Sequence, residues 1–169
     1  MVVNLRQAAI VAAAVLVSGA LLNWMLRDGE ADRVRKRFER LAELAEVAPG
    51  AHIVATGLSS RGLADLFTDP ATLRTPLHEL GGGTYSRQQI AQNALALKGG
   101  CERLTLTFVD LETRFPSSGN AVSTVTARLK GVHRTGGEFA ETRELECRLV
   151  KADGEWRFAD CTVVEVLKR

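Results

Sequence analysis

Four alternating stretches decide the fold of this chain: LTLTFVDLETRF (104–115), AVSTVTARLK (121–130), ELECRLV (144–150) and WRFADCTVVEVL (156–167). Apolar and polar side chains alternate along each stretch, which is the pattern of a β-strand with one buried face. Turn-forming residues separate the stretches, and the last turn carries the hairpin signal Asp153-Gly154. The pattern predicts an α+β domain built on a strongly bent antiparallel sheet of four long strands.

About three helices are expected to cover the apolar face of this sheet. The first is predicted over residues 30–47, because five apolar residues recur there on one helical face: Val34, Phe38, Leu41, Ala45 and Ala48. A short second helix is predicted to start at a serine cap, Ser59 or Ser60. Its inward side chains would be Leu63, Leu66 and Phe67.

The third helix has the clearest start signal in the chain. Ser86 and Gln89 have the spacing of a capping box, and Ile90, Ala94 and Leu97 follow as an apolar stripe. Residues 71–80, which precede it, are expected to be extended and to form at best a small edge hairpin, since Pro76 cannot donate to a ladder.

The composition argues against nucleic-acid, metal and cofactor sites. The net charge is only +2, and one Tyr and two Trp offer little surface for base stacking. Three Cys and three His are present without metal-ligand spacing. We therefore expect no nucleic-acid partner, no metal and no cofactor.

An apolar leader precedes the domain. Residues 7–26 carry no charge, and Arg6 and Arg27 lie on either side of them. Twenty apolar residues are enough to span a hydrocarbon core. We predict a transmembrane anchor over residues 1–27 and one domain over residues 28–169. A cleaved signal peptide is the alternative, because Ser18-Gly19-Ala20 provides small residues at a cleavage site.

The side of the membrane is harder to predict. Basic residues after the leader favour a cytoplasmic domain by the positive-inside rule, whereas a short basic start before an apolar run is typical of exported proteins. We predict a single-pass protein of a bacterial inner membrane with a periplasmic domain.

The cysteines bear on that prediction. Cys147 and Cys161 lie on the two strands of the Asp-Gly hairpin, and one plausible register places them opposite each other. A disulfide there would favour export. The alternative is two buried free thiols.

The order of elements resembles the nuclear transport factor 2-like superfamily, whose fold is a cystatin-like α+β cone. Three motifs carry the resemblance: Leu66-Phe67-Thr68-Asp69-Pro70, Ser86-Arg87-Gln88-Gln89-Ile90, and Lys151-Ala152-Asp153-Gly154-Glu155-Trp156-Arg157. Together with the predicted leader, the resemblance leads us to expect a membrane-anchored bacterial member of that superfamily. It does not transfer a function, because the superfamily includes isomerases, dehydratases and non-catalytic binding domains.

Enzymes of that superfamily place acids, bases or tyrosines inside the cone. The inward positions here are apolar, and with the first helix they predict a ligand pocket: Phe38, Leu104, Leu106, Phe108, Val125, Leu129 and Leu145. Only rim residues remain as weak catalytic candidates: Asp110, Tyr85 and His78. Asp110 continues the inward alternation of its strand, so we expect it at the mouth of the cone.

Two functions follow from these predictions. The first is a membrane-anchored, non-catalytic binding or assembly module that accepts a small apolar ligand. Its polar sheet face would contact a second copy or a membrane protein complex. The alternative is a small-molecule isomerase or hydro-lyase that uses the rim residues.

Overall fold

A computed structural model describes residues 29–74 and 82–164. The chain divides into two compact units, Met1–Arg33 and Val34–Arg169. The predicted anchor lies outside the described residues, and of the first unit only the helical residues 29–33 are described. Among the described ranges, no helix has the length and apolar character needed to cross a membrane.

Helix α1 occupies residues 29–45. Val34 and Phe38 are fully buried, and Leu41 packs against the same core, as the apolar stripe predicts. Ala48 lies beyond the helix end and is exposed. The chain then turns at Pro49-Gly50, where Gly50 has a positive φ of 76°.

Helix α2, Ile53–Ala64, begins earlier than predicted. Ser60 is not a cap but a buried residue inside the helix, and its hydroxyl donates to the carbonyl of Thr56 at 2.8 Å. His52 precedes the helix without a side-chain cap. The start was missed because the first turn carries exposed apolar residues, Ile53 and Val54, in place of a cap signal. Phe67, predicted for this helix, belongs to the next strand.

Helix α3, Arg87–Gly100, has the predicted capping box. The Ser86 hydroxyl accepts from the Gln89 amide at 3.3 Å, and the Gln89 side chain accepts from the Ser86 amide at 2.8 Å. Ile90 is buried as expected. The stripe prediction is wrong at the end of the helix, where Leu97 is 52 % exposed and Lys98 is only 2 % exposed.

Within residues 29–74 and 82–164 the sheet has six strands, where four long strands and at best a small edge hairpin were expected. The predicted strands are β3 (Cys101–Ser117), β4 (Asn120–His133), β5 (Glu138–Ala152) and β6 (Glu155–Val164), which pair antiparallel in sequence order. Two further strands, β1 (Phe67–Arg74) and β2 (Gly83–Tyr85), complete the strand order β2-β1-β6-β5-β4-β3. Since β1 runs parallel to β6, the sheet is mixed and open.

The extended segment was predicted to begin at residue 71, but β1 begins at Phe67 and includes Pro70, which follows a cis peptide bond from Asp69. A proline is tolerated here because the register of β1 on β6 shifts between Phe67 and Thr72, so no ladder bond is required at that point.

A bulge interrupts the alternation of β3. Val109 pairs with Thr126 and Glu112 pairs with Thr124, so Asp110 and Leu111 together oppose one residue of β4. Asp110 has a φ of 55°. The prediction that Asp110 continues the inward face is therefore wrong, because the extra residue turns Leu111 and Phe115 toward the core instead.

The apolar face of the sheet is filled by aromatic packing. Phe38 of α1 meets Phe158 of β6 edge-on, with ring centroids 4.9 Å apart, and Phe158 also contacts the tilted ring of Phe67 at 5.3 Å. A smaller cluster of Val47, Cys101 and Leu104 closes the other end. The space between the helices and the sheet is thus a packed core.

Cys147 and Cys161 are direct cross-strand partners on β5 and β6. Their Cα atoms lie 4.2 Å apart, and their sulfurs form a disulfide. Cys101 is a free, buried thiol.

Candidate functional site

A groove of about 500 Å³ runs between α1 and the bulged part of β3. Helix α1 contributes one wall and strand β3 the other. The lining residues are Arg35, Phe38, Glu39, Ala42, Glu43, Leu106, Thr107, Phe108, Val109, Asp110 and Leu111.

The floor of the groove is apolar. Phe38 and Phe108 meet edge-on across it, with ring centroids 5.2 Å apart. Leu106 precedes Phe108 on the same face of β3, and Leu111 regains that face after the bulge. An apolar group laid in the groove would therefore contact aromatic rings and aliphatic side chains together.

The lip of the groove is charged. Glu39 and Asp110 are exposed there, and neither forms an ion pair within the described ranges. Arg35, the one basic residue of the lining, is likewise unpaired there. Glu43 is held by Arg40 at 2.9 Å. Carboxylates thus outnumber free cations around the opening.

The predicted interior pocket is not formed by the described residues. Phe38, Leu106 and Phe108 line the groove. Val125 and Leu145 pack in the main core. The remaining two predicted residues, Leu104 and Leu129, pack in the smaller cluster. Four of the seven side chains that were expected to line a cavity are thus packed in the core.

Of the three catalytic candidates, the two that the structure describes, Asp110 and Tyr85, do not lie in one site. Asp110 is exposed at the groove lip. Tyr85 lies on β2, at the opposite edge of the sheet from β3, and packs against the core. His78 lies outside the described residues. Within the described part of the chain, no cluster of His, Cys, Asp and Glu could hold a metal ion.

No protein-family model matches the sequence, and no curated protein matches it. Solved structures, in contrast, do match this chain. The protein Kfla4162 from Kribbella flavida superimposes with a TM-score of 0.67 at 13% identity, over 82% of this chain and 91% of its own. An NTF2-like protein with a cystatin-like fold from Novosphingobium aromaticivorans gives 0.63 at 14% identity, over 88% and 90%.

A third similar structure is a protein from Streptomyces avermitilis, assigned as a dehydratase of the NTF2-like family. Its TM-score is 0.65 at 12% identity, over 83% of this chain and 99% of its own. The domain has the nuclear transport factor 2-like fold. At such low identities, the similarity establishes the fold and transfers no activity.

One buried polar group of the domain was not predicted. The ammonium of Lys98 donates to the main-chain carbonyl of Leu44 at 2.6 Å and also contacts the Ser59 hydroxyl. Burial lowers the pKa of Lys98. The sequence gives little warning of this burial, because a lysine beside Gly99-Gly100 at a helix end is normally solvated. Lys98 does not line the groove.

Proposed function

We propose that the domain is a non-catalytic binding module, and that the α1–β3 groove binds a small amphipathic molecule. The observation that carries this proposal is the combination of an apolar floor with a charged, solvent-open lip. A general acid or base works best where water is excluded. Asp110 and Glu39 are instead exposed, and Tyr85 is on the far edge of the sheet.

The lip indicates the kind of ligand. Two unpaired carboxylates, Glu39 and Asp110, and one arginine line the groove, so a ligand with a cationic end and an apolar body fits best. Covering about 100 Å² of apolar ligand surface would contribute roughly 2.5 kcal/mol, whereas an exposed ion pair adds only about 0.2–1 kcal/mol. The apolar floor therefore supplies most of the affinity, and the charges at the lip determine the specificity for one ligand over another.

The experiment uses 4-phenylbutylamine as the probe, with the full chain in lipid nanodiscs. Saturation-transfer NMR should detect binding of the amine and weaker binding of 4-phenylbutyrate. Ala42→Trp fills the groove and should abolish the signal, whereas Ala96→Trp places the same ring at an exposed position of α3 and should not. Equal signals from both variants would refute the groove as the binding site.

An enzyme of the hydro-lyase or isomerase kind is the second candidate. It is supported by a structural neighbour assigned as a dehydratase and by the position of Asp110 at the groove lip. Incubation with a small-molecule extract, followed by mass spectrometry, would detect compounds that lose 18 Da, the mass of water. Turnover by a hydro-lyase requires such products with the wild type and their loss with Asp110→Asn, whereas turnover by an isomerase requires a new product of unchanged mass that is lost in the same variant. Products that persist with Asp110→Asn would rule out this carboxylate.

We also propose that residues 1–27 anchor the domain to a bacterial inner membrane and that the domain faces the periplasm. The Cys147–Cys161 disulfide supports export, because disulfides persist in oxidising compartments. Protease added to spheroplasts should digest the domain if it is periplasmic. Protection there, with digestion in inverted vesicles, would place the domain in the cytoplasm.

A further inference from the structure

The exposed apolar side chains of the domain are concentrated where α2 packs against α3. Six large apolar side chains are exposed within the described ranges, and four of them lie there: Ile53, Val54, Leu58 and Leu95. Three of these four line a groove of about 430 Å³ between the two helices, and Ile53 adds to the apolar surface at the start of α2. A concentration of this kind marks a surface that contacts a partner.

This α2–α3 groove has an apolar end and a polar end. Arg87, the first residue of α3, contacts Asp65, which follows the last residue of α2, so the two helices run antiparallel. The apolar side chains lie near the start of α2 and in the second half of α3, which share one end of the groove. Arg61 and Gln88 line the other end. A ligand in the groove therefore meets apolar side chains first and a cation farther along.

The polar end carries a positive charge that no carboxylate of the two helices opposes. Neither α2 nor α3 contains an aspartate or a glutamate. Arg61 is exposed and forms no ion pair within the described ranges. Asp65, just after α2, is in an ion pair with Arg87 at 3.8 Å. Of the acidic residues that precede α2, Glu43 is also in an ion pair, and Glu46 lies next to the main-chain bridge to β3. The groove is thus complementary to an anion.

The proposed anchor determines which anionic partner lies within reach. The leader ends at residue 26 and α1 begins at residue 29. Two extended residues span at most about 7 Å, so the domain of an anchored chain stays close to the bilayer. Phospholipids are then present at a high effective concentration. Exposed apolar side chains beside a basic residue are typical of proteins that lie on a membrane surface.

We propose that the α2–α3 groove is a membrane-contact surface that binds anionic phospholipid. Ile53, Val54, Leu58 and Leu95 enter the boundary between headgroups and acyl chains, and the guanidinium of Arg61 binds a lipid phosphate. Arg61 follows Leu58 by three residues, about 4.5 Å along the helix axis, which suits the step from acyl chain to headgroup. The contact depends on the proposed anchor to hold the domain at the bilayer, but the leader contributes no residue to it.

A fluorophore that reports on its surroundings tests this contact in the full chain, reconstituted into vesicles. Gln92→Cys places a thiol in the groove without removing an apolar side chain. Thr142→Cys places a control thiol at an exposed position of β5, on the face of the sheet away from the helices. The native cysteines form a disulfide or are buried, so a nitrobenzoxadiazole reagent should label only the introduced thiol.

Lipids that carry a doxyl quencher provide the readout. In phosphatidylcholine vesicles with about one third phosphatidylglycerol, the quencher should lower the emission at position 92 about twofold or more, and leave position 142 unchanged. Arg61→Glu should reduce the quenching at position 92 to its value in pure phosphatidylcholine, whereas Arg61→Lys should retain it. Leu58→Ser/Leu95→Ser should abolish the quenching in both kinds of vesicle. The substituted side chains are all exposed, and urea unfolding checks that each variant remains folded.

Several results would overturn the proposal. Equal quenching at positions 92 and 142 would show insertion without a preferred face. A blue-shifted emission at position 92 without quenching would show that protein covers the groove. Equal quenching with and without phosphatidylglycerol would exclude the assignment to anionic lipid. Flotation separates this contact from the anchor: a chain that floats with the vesicles but is not quenched at position 92 has the anchor and lacks the contact. A chain that does not float has neither.

Discussion

The ammonium of Lys98, near the end of α3, donates to the carbonyl of Leu44 in the last turn of α1. The last carbonyls of a helix have no partner within the helix, so this bond satisfies an acceptor that would otherwise be left open. It also joins α1 to α3, and the Ser59 hydroxyl brings α2 to the same point. One side chain thus links all three helices that cover the sheet.

We predict that the stability of the domain increases with pH because of Lys98. Burial lowers the pKa of Lys98 in the folded chain, while the unfolded chain keeps a value near 10.5. Between the lowered pKa and 10.5, the unfolded state binds more protons, so the free energy of unfolding rises with pH. Below that interval, the folded state holds a buried charge and bears its desolvation penalty.

Urea unfolding from pH 7 to pH 10 measures this effect, with Lys98→Met as the control. The methionine keeps the buried stem but loses both polar contacts, so at pH 7 it should reduce the unfolding free energy by about 1–2 kcal/mol. The difference between wild type and Lys98→Met should widen as pH increases. A constant or shrinking difference would show that Lys98 stays charged throughout.

Gly131 of β4 should tolerate no side chain. A Cβ there would lie 2.5 Å from Cζ of Phe139 and 2.9 Å from the carbonyl oxygen of Arg103. The ring can move but the main chain cannot, so Gly131→Ala should cost about 1–3 kcal/mol. Gly136→Ala is not a matched control, because Gly136 has a φ of 88°, and Gly99→Ala, with open space around it, serves instead.

Adding Phe139→Ala separates the two contacts of Gly131. If the ring causes most of the strain, the double variant should lose less stability than the sum of the two single changes. Additive losses would show that the Arg103 carbonyl dominates. Chemical denaturation measures all four chains.

The parts of the fold that the sequence predicts are those set by local signals. The capping box at Ser86 and the turn at Asp153-Gly154 depend on neighbouring residues only, and both are present. Strand β1 depends on a distant partner, since it is completed by pairing with β6 across the domain. Its proline argues against a strand unless that partner and its register break are known.

The groove was only partly predictable for a related reason. Phe38, Leu106 and Phe108 follow from simple periodicity, and all three line it. The position of Asp110 at the lip depends on one extra residue in β3. The alternation of apolar and polar residues along the sequence does not reveal that extra residue. An aspartate inside an otherwise regular strand is the one available hint, since Asp adopts a positive φ more readily than most residues.

Asp110 should therefore be sensitive to side-chain shape as well as charge. Its φ of 55° suits Asp, Asn and Gly but is costly for a β-branched residue. Asp110→Asn should change stability little and is the appropriate variant for testing the carboxylate. Asp110→Val should cost about 1–2 kcal/mol in urea unfolding. Equal stability of the two variants would contradict the bulge conformation.

The disulfide should stabilise the β5–β6 hairpin. Cys147 and Cys161 are separated by 14 residues in sequence. Cross-linking a loop of that size lowers the conformational entropy of the unfolded chain, which stabilises the folded state by about 3 kcal/mol. Reductant should therefore lower the unfolding free energy of the wild type by roughly 2–3 kcal/mol. It should leave Cys147→Ala/Cys161→Ala unchanged, because that variant has no bond to break.

Thiol counting in denaturant provides an independent check on this bond. Without reductant, only Cys101 should react, and after reduction all three cysteines should react. Protein purified from the cell envelope under alkylating conditions preserves the state that the cell sets. Three reactive thiols in that sample would show that the bond is absent in the cell. The cysteines would then no longer support a periplasmic domain.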